Sequence, residues 1–238
     1  MTDLHEGTFG THSNGHTMAK KILRAGYYWF TMEADCYQHS RTCHKCQIYV
    51  DKVHVPLVPL NVLTAPCPFA MWGINMIDEI RPTASNGHRF ILVAIDYFTK
   101  WVEAASFSTV TKNVVVQFIQ HNLICRYGVP ERVIIGNGIN LNNTMITELY
   151  KKFKIQHHNS SPYRPKMNGI VEAANKNIKN IIQKITVTYK DWHEMLPFAL
   201  HGYRTSAQTS TGETPYSLVY GMEAVIPVAV KIGDQAIN

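Results

Sequence analysis

Arg89-Phe90-Ile91-Leu92-Val93-Ala94-Ile95-Asp96-Tyr97-Phe98 decides how this chain is read. A run this short, apolar and rich in β-branched residues predicts a buried strand. Trp101 to Phe107 then pairs back as a further strand, and Trp72 to Ile80 alternates as an earlier one. Downstream, an amphipathic helix from Thr111 or Lys112 to Tyr127 is stopped by Gly128 and Pro130. Val133 to Ile135 reads as a short central strand, followed by helices from about Asn143 to Phe153 and from about Met167 to Tyr189. Asp191, with Glu194 three residues on, looks like a capping pair for a last helix, Trp192 to Arg204. Three strands, a helix, a strand and then helices predict an α/β fold with a mixed sheet flanked by helices.

Upstream the pattern changes. The first 50 residues hold most of the metal-capable side chains, with short helices expected over Thr17 to Ala25, ended by Gly26, and over about Thr31 to Ser40. Val53 to Pro68 contains Pro56, Pro59, Pro66 and Pro68 and reads as a linker, because each proline removes a donor and fixes its backbone. The expected division is a module at 1–52, a linker at 53–68, a core at 69–230 and a tail at 231–238. At 238 residues the chain is long enough for one sizeable core plus that small module. Five cysteines with one CxxC pair argue against a disulfide framework and for an intracellular, reducing compartment. The first twenty residues lack a secretory signal, and no apolar run is long enough for a membrane span. A net charge of +6, with a pI near 9.0, leans mildly towards an anionic partner.

His5 and His12, with six residues between them, and Cys43 and Cys46, thirty residues further on, form a candidate metal set. Two His and two Cys supply the borderline-soft ligands of a closed tetrahedral zinc site. A fifty-residue segment with two short helices has little core, so metal binding would supply much of its folding energy. The competing reading is solvated histidines and an incidental or redox CxxC. A redox CxxC usually sits near a βαβ pattern, which this segment lacks. His16, His39, His44 and Cys36 are spare candidates, treated as surface or core groups.

Several stretches carry a resemblance: Gly10-Thr11-His12, Tyr27-Tyr28-Trp29 and Cys43-His44-Lys45-Cys46-Gln47 in the first module, Phe90 to Trp101 in the core, then Tyr163-Arg164-Pro165-Lys166-Met167-Asn168-Gly169 and Thr211-Gly212-Glu213-Thr214-Pro215-Tyr216. Together they resemble the integrases of plant Ty3/gypsy-type LTR retrotransposon polyproteins, over residues 4 to roughly 230. The resemblance implies a ribonuclease-H-like core with a mixed five-stranded sheet, preceded by a helical HHCC zinc domain. It does not reach the C-terminal DNA- or chromatin-binding module that such integrases carry. It also implies polynucleotidyl transfer in DNA integration, by a triad of two aspartates and a glutamate holding Mg²⁺ or Mn²⁺.

The spacing of that triad falls on Asn75, Gly136 and Glu172, with 60 residues between the first two and 35 between the last two. Glu172 is the remaining acid; Asn75 and Gly136 stand where the resemblance expects aspartates, and Lys166 stands where it expects Gln. Magnesium wants oxygen ligands, chiefly carboxylates, and a two-metal site clamps the attacking and leaving oxygens. A neutral amide is a poor substitute and glycine offers nothing, so Mg²⁺ or Mn²⁺ is not expected to be properly held. Asp96 and Asp78 are the acids a compensating site would recruit.

Between Ser161 and Lys190 six basic residues face one acid, Glu172. On the long helix Val171, Ala174, Ile178, Ile181 and Ile185 form an apolar seam. Glu172, Lys176 and Lys179 share the face beside it, where lysines are either solvated or meet DNA phosphates. Lys176, Lys179, Lys166 and Arg164 are the expected DNA contacts, without sequence preference. The reading is a catalytically degenerate integrase-like DNA-binding protein that associates with itself or with intact integrase and is nuclear when bound to DNA. The alternatives are an active integrase with a recruited acid and a co-opted non-catalytic DNA-binding or integrase-partner protein.

Overall fold

The computed structural model describes residues 1–6, 12–48, 65–77, 79–136, 141, 143–159, 176–177, 179–180 and 191–225. Five strands form one sheet: β1 (Met71–Ile77), β2 (Phe90–Asp96), β3 (Val102–Phe107), β4 (Arg132–Ile135) and β5 (Gln156–Asn159), in the order β3-β2-β1-β4-β5. The β1–β2 and β2–β3 pairs are antiparallel, while β1–β4 and β4–β5 are parallel, so the sheet is mixed as expected. β5 is the strand that the sequence pattern did not reveal. Gln156, His157 and His158 are exposed, so this edge strand has no apolar face to betray it.

Alternation along the strands divides the core in two. Trp72, Ile74, Leu92, Ala94, Val133 and Ile135 pack on one face. They meet α5 (Lys112–Phe118), the π-helical continuation Ile119–Ile124 and α7 (Thr144–Phe153), through Val115, Phe118, Ile119, Leu123, Ile146 and Leu149. α6 (Cys125–Tyr127) completes the expected 112–127 helix, which ends at Gly128 with φ 88°. On the other face Met71, Ile77, Ile91, Val93, Ile95 and Ile134 meet α8 (Trp192–Arg204) through Trp192, Leu196, Leu200 and Tyr203. α9 (Pro215–Tyr220) follows, capped by Thr214, whose Oγ1 accepts from Ser217 N at 3.0 Å.

The expected cap of α8 is corrected by the structure. Asp191 makes no side-chain cap; its Oδ1 accepts instead from Ser85 N at 3.2 Å, tying the helix start to the loop before β2. The long 167–189 helix lies outside the described residues except at 176–177 and 179–180, which are helical. Its apolar seam, Val171, Ala174, Ile178, Ile181 and Ile185, lies wholly outside them. So does the linker at 53–64.

The N-terminal module consists of α1 (Thr2–Glu6), α2 (Gly15–Arg24), α3 (Met32–Thr42) and α4 (His44–Ile48). Its apolar centre is five residues, Met18, Ala19, Ile22, Met32 and Cys36, with Leu4 and Trp29 packed against them. A core that small cannot hold four short helices unaided. α2 and α3 cross so closely that a Cβ on Gly15 would lie 2.6 Å from the Tyr37 backbone.

Candidate functional site

Each of the four candidate metal ligands comes from a different element of the module. α1 carries His5, the residues before α2 carry His12, Cys43 ends α3, and α4 carries Cys46. His12 adopts φ 49°, and its N–H donates to His5 O at 3.0 Å, which pins the two histidines together. Cys43 Sγ lies 3.3 Å from His12 Nδ1, and Cys46 Sγ lies 3.3 Å from His5 Nε2. All four ligand atoms fall within 4.8 Å of one another, so the group could hold a metal ion. Ligands bound tetrahedrally at zinc distances sit about 3.5 Å apart, which the nitrogen–sulfur separations match. His5 is fully buried and Cys43 nearly so, the closure that a structural metal site calls for.

The spare candidates take other positions. His16 is exposed and faces Glu33 at 3.4 Å. His39 packs edge-on against His5 at 5.3 Å without joining the four. His44 is exposed, and Cys36 is buried in the module's apolar centre.

The second site lies at the middle of the sheet. β1 and β4 run parallel with Ile74 opposite Ile135, and Gly136 N donates to Ile74 O at 3.0 Å. Asn75 and Gly136 are thereby side by side, on the face that carries Val93 and Ile134. A Cβ at position 136 would lie 2.7 Å from Asn75 Oδ1 and 3.2 Å from Asn75 Cγ. Asn75 Oδ1 accepts from Met76 N at 2.8 Å, so the amide is turned back on its own strand. Two positions that the resemblance pairs as metal ligands are therefore neighbours in space, and neither carries a carboxylate. Glu172, Lys166 and Arg164 lie outside the described residues, as does Asp78. Lys176 and Lys179 are exposed on their helix.

Asp96 lies away from the Asn75–Gly136 pair. It pairs with Trp72, whereas Asn75 pairs with Val93; three residues along a strand is about 10 Å. It also alternates with Leu92 and Ala94, which face the opposite core. Its carboxylate is committed to the β2–β3 turn and to the approach to β1, accepting from Thr99 N at 2.8 Å, Thr99 Oγ1 at 2.7 Å and Phe69 N at 3.1 Å. Burial pushes the Asp96 carboxyl up, against the pull of those hydrogen bonds.

One polar cluster escaped the sequence reading. Glu103 is buried and accepts from Trp101 Nε1 at 3.0 Å, from Tyr127 OH and from Arg204 Nη2 at 2.8 Å, with Arg126 at 3.2 Å. Arg204 also lies 4.2 Å above the Trp101 ring and donates to Val102 O at 2.7 Å. The network locks α8 to the edge strand β3. Only a buried acid on an otherwise apolar strand, opposite an Arg some hundred residues on, could have signalled it.

No family model matches the chain. It is 30% identical over 167 residues to the Gag-Pol polyprotein of avian reticuloendotheliosis virus, covering 70% of this chain and 14% of that protein. It is 26% identical over 242 residues to the bovine (Bos taurus) gypsy retrotransposon integrase-like protein 1, covering 98% of this chain and 46% of that protein. It is 24% identical over 230 residues to the Pol polyprotein of Drosophila melanogaster transposon 412, covering 95% of this chain and 18% of that one. The chain thus spans less than half the length of each of these relatives. Among solved structures, a chain of the simian T-cell lymphotropic virus intasome in complex with PP2A regulatory subunit B56 gamma superposes with a TM-score of 0.60 at 18% identity. That superposition covers 93% of this chain and 76% of that one, and at such identity it speaks to the fold.

Sheet order and these likenesses define an integrase-type chain, a ribonuclease-H-like core behind a helical module whose His/Cys group could hold a metal ion. The likenesses fall among retroviral polyproteins and gypsy-type retrotransposons, as the sequence resemblance implied.

Proposed function

We propose that this chain is a DNA-binding member of the integration machinery whose phosphoryl-transfer centre has been lost while its scaffold and its zinc-held module remain. One observation carries the reading: Asn75 and Gly136 touch where two carboxylates are required, with the Asn75 oxygen in the space of a side chain at 136. Two-metal transfer draws several kcal/mol of transition-state stabilisation from its ions. Losing about 5 kcal/mol costs roughly three to four decades in rate. The residues present do not fit two Mg²⁺ or Mn²⁺ ions, and no catalytic step is assigned to them.

The N-terminal site does fit its ion. His5, His12, Cys43 and Cys46 match structural zinc in ligand type and in closure, and the ion's contribution is to cross-link α1, α3 and α4. Exposed Lys176 and Lys179, one turn apart, support phosphate contacts that give affinity without sequence choice. Association with a second copy or with an intact relative, and residence in the nucleus when bound to DNA, belong to the same reading. So does the division into a module at 1–52, a linker at 53–68 and a core at 69–230.

The deciding experiment is a strand-transfer assay on the unmodified chain beside one carrying Asn75→Asp with Gly136→Asp. Activity only in the double variant supports the reading; equal activity in both removes it.

A further inference from the structure

A cavity of about 380 Å³ opens between the start of α2 and the end of α8, bordered by His12 of the metal cluster. Its working surface is Ser13, Thr17, Asn177, Asn180, Tyr203 and Gln208. Among the described residues that line it there is no Lys, Arg, Asp or Glu. Such a wall does not suit a bare phosphate, which calls for cations or charge-assisted donors. Carboxamides instead present a donor and an acceptor side by side, the arrangement that pairs with the edge of a nucleobase. The volume is at the small end of ligand sites, which suits one base and excludes a duplex.

Tyr203 is 5% exposed, and it lines the cavity with a hydroxyl to offer. Burial alone pushes that hydroxyl up, which keeps it a neutral donor. Ser13 Oγ is buried without a partner, which points to an absent ligand. Buried polar groups in that condition are rare.

The helix that supplies Asn177 and Asn180 also supplies the anchors. Lys176 and Lys179 immediately precede them and are exposed. Successive helical residues are about 100° apart around the axis, so a lysine stripe runs beside the amide stripe. We propose that the cavity receives one unpaired base of single-stranded DNA, held by Asn177, Asn180, Gln208 and Tyr203, while Lys176 and Lys179 hold the flanking phosphates. The proposal rests on the DNA-binding reading above and gives it a strand state: the preferred ligand is single-stranded, or frayed at an end.

The test uses the zinc-loaded full chain and fluorescence anisotropy. The probes are an oligodeoxyadenylate and a length-matched oligonucleotide with abasic sites throughout. The unmodified chain should prefer the base-bearing probe by about tenfold, the discrimination of a good amide-to-base contact. Asn177→Ala with Asn180→Ala should erase that preference while leaving abasic affinity and the salt slope unchanged. Tyr203→Phe, which keeps the buried ring and so the fold, should lower the preference about threefold. Lys176→Ala with Lys179→Ala should weaken both probes equally and flatten the salt dependence by about two contacts. Equal binding of the two probes by the unmodified chain, or a preference that survives the Asn pair and Tyr203→Phe, overturns the pocket and leaves the phosphate reading standing. An unaltered salt slope in the lysine variant overturns the phosphate contacts instead. Failure of either probe to bind removes both.

Discussion

The two candidate metal sites of this chain have opposite fates. In the N-terminal module four ligand atoms from separate elements gather within 4.8 Å on a core of five apolar residues. In the sheet a large core positions Asn75 and Gly136 to within contact, and neither position carries a carboxylate. Where the ion holds the fold, losing a ligand removes the fold as well. Where the fold exists without the ion, the ligands can change and the scaffold persists. The carboxylate site is therefore the one that can degenerate silently.

The largest effect should come from the module. Cys43→Ser with Cys46→Ser removes two ligands of an ion whose binding in small zinc domains is worth about 10–16 kcal/mol. Residues 1–48 should lose their amide protection while the sheet keeps its own. Unchanged zinc content by elemental analysis, or an intact module in the double variant, would break the comparison on its strong side.

Next is the core's dependence on its own polar contacts. Glu103→Gln leaves Arg204 beside a neutral amide inside the β3–α8 contact. Breaking one side of a buried pair costs about 3–5 kcal/mol, readable as a lowered denaturation midpoint with zinc content unchanged. A loss below 1 kcal/mol would mean that α8 is held by apolar packing alone.

A smaller effect distinguishes the modules by pH. Lys21 on α2 is 3% exposed, and burial, then the neighbouring Arg24 charge, lowers it from 10.5 to about 8. A lysine depressed in the folded state binds fewer protons there than when unfolded, so stability rises with pH between about 8 and 10.5 and is penalised below 8. At about 1.4 kcal/mol per unit the penalty at neutral pH is of order 3 kcal/mol. Lys21→Met should recover about 2–3 kcal/mol at pH 7 and flatten the rise on the alkaline side. A variant no more stable than its parent at pH 7 would show the ammonium already paired.

The smallest effect probes the vacated site directly. Gly136→Ala puts a Cβ 2.7 Å from Asn75 Oδ1, an overlap costing about 1–3 kcal/mol. Asn75→Ala should relieve it, giving a coupling of comparable size in a double-mutant cycle. Additive effects would separate two positions that the structure places in contact.

Parts of this were readable in the chain and parts were not. The β2 run and the Gly128 stop showed their elements because hydrophobic pattern and turn chemistry are local. The four candidate metal ligands were picked out by residue type and spacing, and the structure brings their ligand atoms within 4.8 Å of one another. β5 was not legible, since Gln156, His157 and His158 sit exposed at a sheet edge. Asp191 looked like a cap but is engaged by Ser85, 106 residues away in sequence. The contact between Asn75 and Gly136 depends on parallel register between β1 and β4, which no local pattern reports. Asp96 looked available to the site, but its face and its hydrogen bonds to Thr99 and Phe69 set it apart from Asn75 and Gly136.

The proposal at stake is that the scaffold survives while two of the three acids do not. Calorimetric titration of Mg²⁺ into the zinc-loaded chain, beside the Asn75→Asp with Gly136→Asp variant, tests it most directly. The account predicts no saturable Mg²⁺ binding in the unmodified chain and two bound ions in the variant, with strand transfer returning after metal binding. Two saturable Mg²⁺ sites in the unmodified chain, with Mg²⁺-dependent DNA cleavage abolished by Glu172→Gln, would contradict it.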